Sequence, residues 1–382
     1  MQLKNFLPLA LATQIAARNL SEALASQNSS LSALNSLLLG SPSIVAALNK
    51  ASNVTILAPN NNAIQTFLDQ SPLGSISRIG SGALEALLSY HVLNGTYYAS
   101  NITDASRPLF IPTSLTNATY ANITGGQRVE ATVVDGNVTF YSGLRENSSV
   151  VTPDTNFTGG TIHIIDRVLT IPQNDTQTLI DSNLAAAAGA MAASDQADKI
   201  NLERDVTIFA PTNEAFSAVG SAVEHLTSQQ LASLVQYHVV PGTVVYSSDF
   251  KNGTLTTLSH PNVTITVRNG TVFVNSARII NSDILVSNGV LHVIDNVLNP
   301  MNSTATPAAT GTSNPPAFSG ASSTSGVPFT SGVPTATTTA PAASRTTTTA
   351  KTSSSSAPGV PVRTGAVGAA ALFGGAAMLA NL

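Results

Sequence analysis

The sequence contains no cysteine. Disulfides, cysteine metal centres and thiol chemistry are therefore excluded, and any folded part must rely on its hydrophobic core. Charge is also scarce. Asp, Glu, Lys and Arg make up 9% of the 382 residues, and the net charge is only −4. Without a basic stripe, nucleic acid is excluded as a partner. Ser, Thr and Asn fill the polar positions instead, so solubility would come from hydroxyls, amides and attached glycans. The length suggests two or three domains, and domains of about 130–150 residues bury enough surface to stand without disulfides.

The ends of the chain have their own patterns. Met1 to Asn5 gives a short basic start, Phe6 to Ala12 a small apolar core, and Ala10-Leu11-Ala12 or Ala16-Ala17 a small-residue cleavage site. Residues 1–17 thus read as a secretory signal peptide. At the other end, Gly365 to Leu382 carries no charge and no basic residue follows it. With small residues upstream and a short spacer, residues 357–382 read as a glycolipid-anchor signal. The attachment candidates are Ser353, Ser354, Ser355 and Ser356. Residues 301–356, rich in Ser, Thr and Pro, read as an extended, disordered, O-glycosylated stalk.

Fifteen Asn-x-Ser/Thr sequons occur. In a secreted chain they mark exposed loops and strand edges. The candidates are Asn53, Asn94, Asn101, Asn117, Asn122, Asn137, Asn156, Asn252, Asn262, Asn269 and Asn302.

The body of the chain repeats itself. NVTILAP (53–59) answers DVTIFAP (205–211). LSYHVLNGT (88–96) answers VQYHVVPGT (235–243). GTIHIIDRVL (160–169) answers GVLHVIDNVL (289–298). Two copies at this spacing mean duplicated domains, with a boundary near Ile171 to Asp175, and copies that fold separately. In the first block Val54, Ile56 and Ala58 alternate, as do Val206, Ile208 and Ala210, which predicts half-buried strands. Asn60 and Thr212 then stand where helix N-caps belong, and Thr227 with Gln230 makes a capping box. Asp175 is expected to cap the first helix of copy two. The stripe Leu231, Leu234, Val235, His238 matches Leu84, Leu87, Leu88, His91. It places both histidines on a core face at a helix end. Alternating strands flank Asp135-Gly136 and Asn269-Gly270, the chemistry of tight hairpin turns. The fold class is α+β.

These blocks resemble the two signature boxes and the Tyr-His motif of fasciclin-like domains, twice and in order, over about residues 18–300. Copy one departs from the pattern with NNNAI (60–64) where TNEAF (212–216) stands in copy two. It also has 72 positions from His91 to His163 against 54 from His238 to His292. The resemblance implies two tandem domains, 18–172 and 173–300, each a β-sandwich or wedge with packed helices. It implies an adhesion, matrix or wall-associated protein, with cell-surface or matrix proteins or polysaccharides as partners and the membrane reached through the lipid anchor. It also makes Tyr90, His91, Tyr237 and His238 the binding candidates. The competing reading of these residues is that each histidine is buried and hydrogen-bonded, while the tyrosine hydroxyls reach the surface.

Catalytic chemistry finds no support. There is no His-Glu-x-x-His, nucleophile elbow, phosphate loop or dinucleotide fingerprint. His163 and Asp166, three apart in a strand, face opposite sides, as do His292 and Asp295. No catalytic residue, metal ligand or cofactor is assigned. The function expected is surface binding, with a glycan-bearing coat or spacer as the alternative and a glycan hydrolase a distant third.

Overall fold

The computed structural model describes residues 18–70, 79–307 and 317–336. The signal peptide, the attachment serines and the anchor signal lie outside the described residues.

Copy one opens with three helices, α1 (Leu20–Ser26), α2 (Asn28–Leu39) and α3 (Pro42–Lys50). Then come β1 (Val54–Pro59), α4 (Asn61–Gln70), α5 (Ser81–Tyr90), β2 (Val92–Asn94) and α6 (Ala99–Thr103). Five strands follow: β3 (Leu109–Pro112), β4 (Arg128–Val134), β5 (Asn137–Tyr141), β6 (Asn147–Phe157) and β7 (Gly160–Ile165). Copy two repeats the plan. Its helices are α7 (Asp175–Asp181), α8 (Ala185–Ala193), α9 (Ala197–Leu202), α10 (Asn213–Ala218), α11 (Gly220–Val223) and α12 (Ser228–Tyr237). Its strands are β8 (Val206–Pro211), β9 (Val239–Val240), β10 (Gly253–Thr256), β11 (Asn262–Arg268), β12 (Thr271–Val274), β13 (Ala277–Val286) and β14 (Gly289–Ile294).

The local chemistry read from sequence acts as expected at several points. Asn60 Oδ1 accepts from the Ala63 amide at 2.8 Å, and Thr212 Oγ1 from the Ala215 amide at 3.0 Å. Thr227 and Gln230 form the reciprocal capping box. Asp135 and Asn269 both have φ of 49°, the left-handed start of a tight hairpin turn. At α7 the cap is Asn174, whose side chain accepts from the Gln177 amide. Asp175 is instead the first helical residue and is wholly buried.

Each copy builds a seven-stranded sheet with helices packed on it, the α+β arrangement that the resemblance implies. The orders are β2-β1-β7-β6-β5-β4-β3 and β10-β11-β12-β13-β14-β8-β9. In copy one a bridge between Leu93 and Thr113 brings the two ends together, so the sheet curls toward a barrel. The first and last strands of each domain pair in parallel, Val54 opposite Gly160 and Val206 opposite Gly289. All six residues of β1 and of β8 are buried, so these strands are covered on both faces. In copy one, Ile56, Ala58, Ile162 and Ile164 pack under α1–α3, while Leu57, Phe140 and Ile165 fill the space within the curled sheet. The helices ahead of β1 supply the second cover.

The stalk differs from its compositional reading at residues 317–336. Ala317 is buried, and Phe318, Phe329 and Val333 pack on the helical core of copy two. The Phe329 ring meets the edge of Phe216 with centroids 6.0 Å apart. The Thr324 amide donates to Ser217 O at 3.0 Å. Two glycines make room for this strap. A Cβ on Gly189 would lie 1.7 Å from Phe329 O, and one on Gly220 would lie 2.0 Å from Thr324 Oγ1. A segment too polar to form its own core is held by a groove already built.

Candidate functional site

The Tyr-His pairs sit where α5 runs into β2 and where α12 runs into β9. His91 and His238 are the C-cap residues of those helices. His91 Nδ1 donates to Leu87 O at 2.8 Å, and its Nε2 accepts the Leu169 amide at 3.0 Å. His238 repeats this with Leu234 O at 2.8 Å and the Leu298 amide at 2.9 Å. Each imidazole ties a helix end to the segment after the closing strand, and the two bonds fix one neutral tautomer. Burial pushes both pKa values down to about 4, against the opposing pull of the carbonyl bond.

The tyrosines are inside as well. Tyr90 and Tyr237 are both 0% exposed. Tyr90 Oη donates to Arg128 O at 2.9 Å, and Tyr237 Oη donates to Asn262 O at 3.0 Å while accepting from Asn275 Nδ2 at 2.9 Å. The expectation that their hydroxyls reach the surface is corrected: the curled sheet encloses both rings, and the backbone of β4 or β11 takes each hydroxyl. Burial raises both phenol pKa values. All four binding candidates thus have their polar atoms engaged within their own domain.

The closing box has the same character. His163 Nε2 donates to Tyr97 O at 2.8 Å, and its Nδ1 accepts the Asp154 amide at 3.2 Å. His292 repeats this with Val245 O and the Asp283 amide. Asp166 and Asp295 turn away to accept the Ser149 and Arg278 amides, each at 2.7 Å. The motifs that define the repeat are hydrogen-bond circuits of the fold.

Ten of the eleven sequon asparagines named above are exposed; Asn122 alone is half-buried. Its Nδ2 donates to Leu202 O at 3.0 Å and Glu203 O at 3.2 Å, and its amide to Ser287 O at 2.7 Å. Thr124 of the same sequon bonds both carboxylate oxygens of Asp205 at 2.6 Å. An Asn122 glycan would occupy the atom that holds copy two.

That contact belongs to an interface between the copies which sequence reasoning missed. Gln127, fully buried, donates to Val286 O at 3.1 Å. Arg145 is buried, pairs with Glu130 at 3.1 Å, and donates to Ser282 O and Asp283 O at 2.8 and 3.1 Å. Leu144 and Arg145 both hold positive φ, 56° and 57°, in the inserted part of copy one. Such strain in two successive non-glycine residues persists only where surrounding contacts enforce it. From copy two, Tyr246 stacks on Phe110 with centroids 4.1 Å apart. Tyr98 holds the matching place in copy one: Ala99 and Ser247, the next residues, donate to Asp154 and Asp283. Yet Tyr98 is 41% exposed and Tyr246 only 6%. The sequence signal was the insertion between His91 and His163, which carries Arg145.

Comparison with known proteins assigns both copies to one domain family. The Fasciclin domain family matches residues 29–172 and 182–300. A fasciclin-like arabinogalactan protein of Arthroderma benhamiae is 36% identical over 331 residues, covering 86% of this chain and 78% of its own length. Another from Phaeosphaeria nodorum is 31% identical, covering 72% and 86%. Human periostin is 33% identical over 149 residues, 37% of this chain and 18% of its own. Among solved structures, a FAS1 domain pair from the insect cell adhesion molecule Fasciclin I shares 19% identity at a TM-score of 0.35, covering 72% of this chain and 98% of that one.

Proposed function

Since this chain belongs to the fasciclin domain family, we propose that it is a surface or matrix-associated binding protein, not an enzyme, whose two domains act as one docked unit. The observation that carries this reading is the interface. Arg145 from copy one caps carbonyls of copy two, Tyr246 from copy two stacks in copy one, and the strap continues the packing onto copy two. A docked pair presents a continuous surface of fixed shape, which suits recognition of an extended partner. The names of its relatives, arabinogalactan proteins among them, support the same direction. The exposed sequons support a second reading, a glycan-bearing spacer.

In this reading the chain is secreted, carried on its stalk, and held to the outer face of the membrane by a lipid added within Ser353 to Ser356. Treating intact cells with phosphatidylinositol-specific phospholipase should release it, and mass spectrometry should find no peptide from residues 357–382. A retained tail peptide overturns the anchor. Beads coated with the released protein should attach saturably to cells or matrix; attachment no better than that of beads coated with an unrelated glycoprotein favours the spacer.

A further inference from the structure

Beside the stacked Phe110 and Tyr246, the two copies leave an open groove of about 650 Å³. Its walls come from the α6–β3 connection of copy one and the segment after β9 in copy two. Four charged side chains line it: Asp104, Arg107, Arg128 and Asp249. Among the described residues none of the four forms an ion pair. Arg107 bridges the copies by donating to Ser248 O. Of two lining residues, Tyr246 and Arg128, the atoms Tyr246 Oη and Arg128 Nε are buried and have no hydrogen-bond partner among the described residues. The groove exists only in the docked pair, and ligand sites favour such junctions.

The chemistry of the lining selects a ligand class. An apolar ligand would strip water from four charges and return nothing. A polyanion meets Asp104 and Asp249, and a polycation meets Arg107 and Arg128. A neutral polyol donates to the carboxylates and accepts from the guanidinium groups at once. A pyranose ring also offers an apolar C–H face to the half-buried Phe110 ring. We propose that this interdomain groove is a binding site for a neutral saccharide chain. The inference rests on the binding-protein reading above and names its ligand.

The test uses the full secreted chain and three probes: a neutral glucan hexasaccharide, a neutral mannan hexasaccharide and a galacturonan hexasaccharide. Calorimetric titration should show binding of a neutral probe. The double variant Asp104→Asn, Asp249→Asn should weaken it about tenfold or more with thermal unfolding unchanged, because both carboxylates are exposed. No neutral binding, a preference for galacturonan, or neutral binding indifferent to the double variant each overturns the proposal. Bead attachment measured on the same preparation separates the two readings. Attachment without neutral saccharide binding overturns the groove alone, and absence of both overturns the groove and the binding-protein reading together.

Discussion

His238 and Leu298 lie 60 positions apart, yet an imidazole nitrogen accepts the backbone N–H at 2.9 Å. The other nitrogen holds Leu234 O. Replacing His238 with Ala opens a small cavity and leaves a buried N–H and a buried carbonyl unpaired. A loss of about 2–4 kcal/mol is expected, read as a lower midpoint in denaturant. His91→Ala should do the same to copy one. Tyr237→Phe removes a hydroxyl that both donates and accepts, so it should cost about 1–2 kcal/mol. An unchanged midpoint in His238→Ala would refute the staple.

The pH dependence of stability follows from two opposed burials. His91 and His238 have folded pKa values near 4 against 6.5 unfolded. The unfolded chain therefore takes protons first. Their contribution is complete above pH 6.5 and is lost as pH falls toward 4. Asp175 runs the other way, because burial lifts its carboxyl to about 7 from 3.8. Its folded form keeps a proton, so it favours folding below 3.8 and loses that advantage as pH rises through 7. Asp175→Asn removes the second effect. Urea midpoints between pH 4.5 and 7.5 should rise more steeply in the variant than in the parent, and parallel curves would exclude Asp175 as the opposing group.

Arg145 is the hook between copies. Arg145→Met keeps the volume but leaves Glu130 without its guanidinium and two carbonyls of copy two without their donor. Breaking a buried pair from one side costs about 3–5 kcal/mol. Calorimetry should then resolve two transitions, whereas in the parent the docked copies should melt together. A single unshifted transition would show that docking does not depend on this residue.

The strap is tested at the groove. Gly189→Ala or Gly220→Ala adds a methyl group where Phe329 O or Thr324 Oγ1 lies. Limited proteolysis should cut residues 317–336 faster in either variant while the sheet of copy two stays resistant. Phe329→Ala should lower stability by about 2 kcal/mol. Equal cutting rates in parent and variants would mean that the strap is not held in solution.

Asn122 offers a probe of docking, because a cysteine placed there is the chain's single thiol. Asn122→Cys should react with maleimide about tenfold more slowly than Asn101→Cys, whose site is exposed. Glycopeptide mapping of the secreted chain should find Asn122 bare in the docked form. Equal thiol reactivity would place Asn122 outside any closed interface.

The sequence showed most where short-range chemistry decides. The caps at Asn60, Thr212 and Thr227, the turns at Asp135 and Asn269, and the buried placement of His91 and His238 follow from spacing and residue type. It showed less where the answer depends on what lies opposite. Alternation made β1 and β8 half-buried, but helices cover their second face. Tyr90 and Tyr237 end amphipathic helices, yet only closure of the sheet reveals that β4 and β11 receive their hydroxyls. Arg145 carries no local signal, since the carbonyls it caps lie 137 and 138 positions away. The strap was hidden for the same reason: Phe329 has no periodic neighbours, and its partner is Phe216.

The parallel pairing of β1 with β7, and of β8 with β14, also governs time. Val54 cannot meet Gly160, nor Val206 meet Gly289, until nearly the whole domain has been made. Loop closure over such distances is slow, and partners so far apart make for late nucleation. At ribosomal rates of about 5–20 residues per second, each central strand waits several seconds for its mate. During that wait the apolar faces of β1 and β8 stay open to chaperones and to each other, so the repeat that makes the pair also invites crossed pairing between its halves.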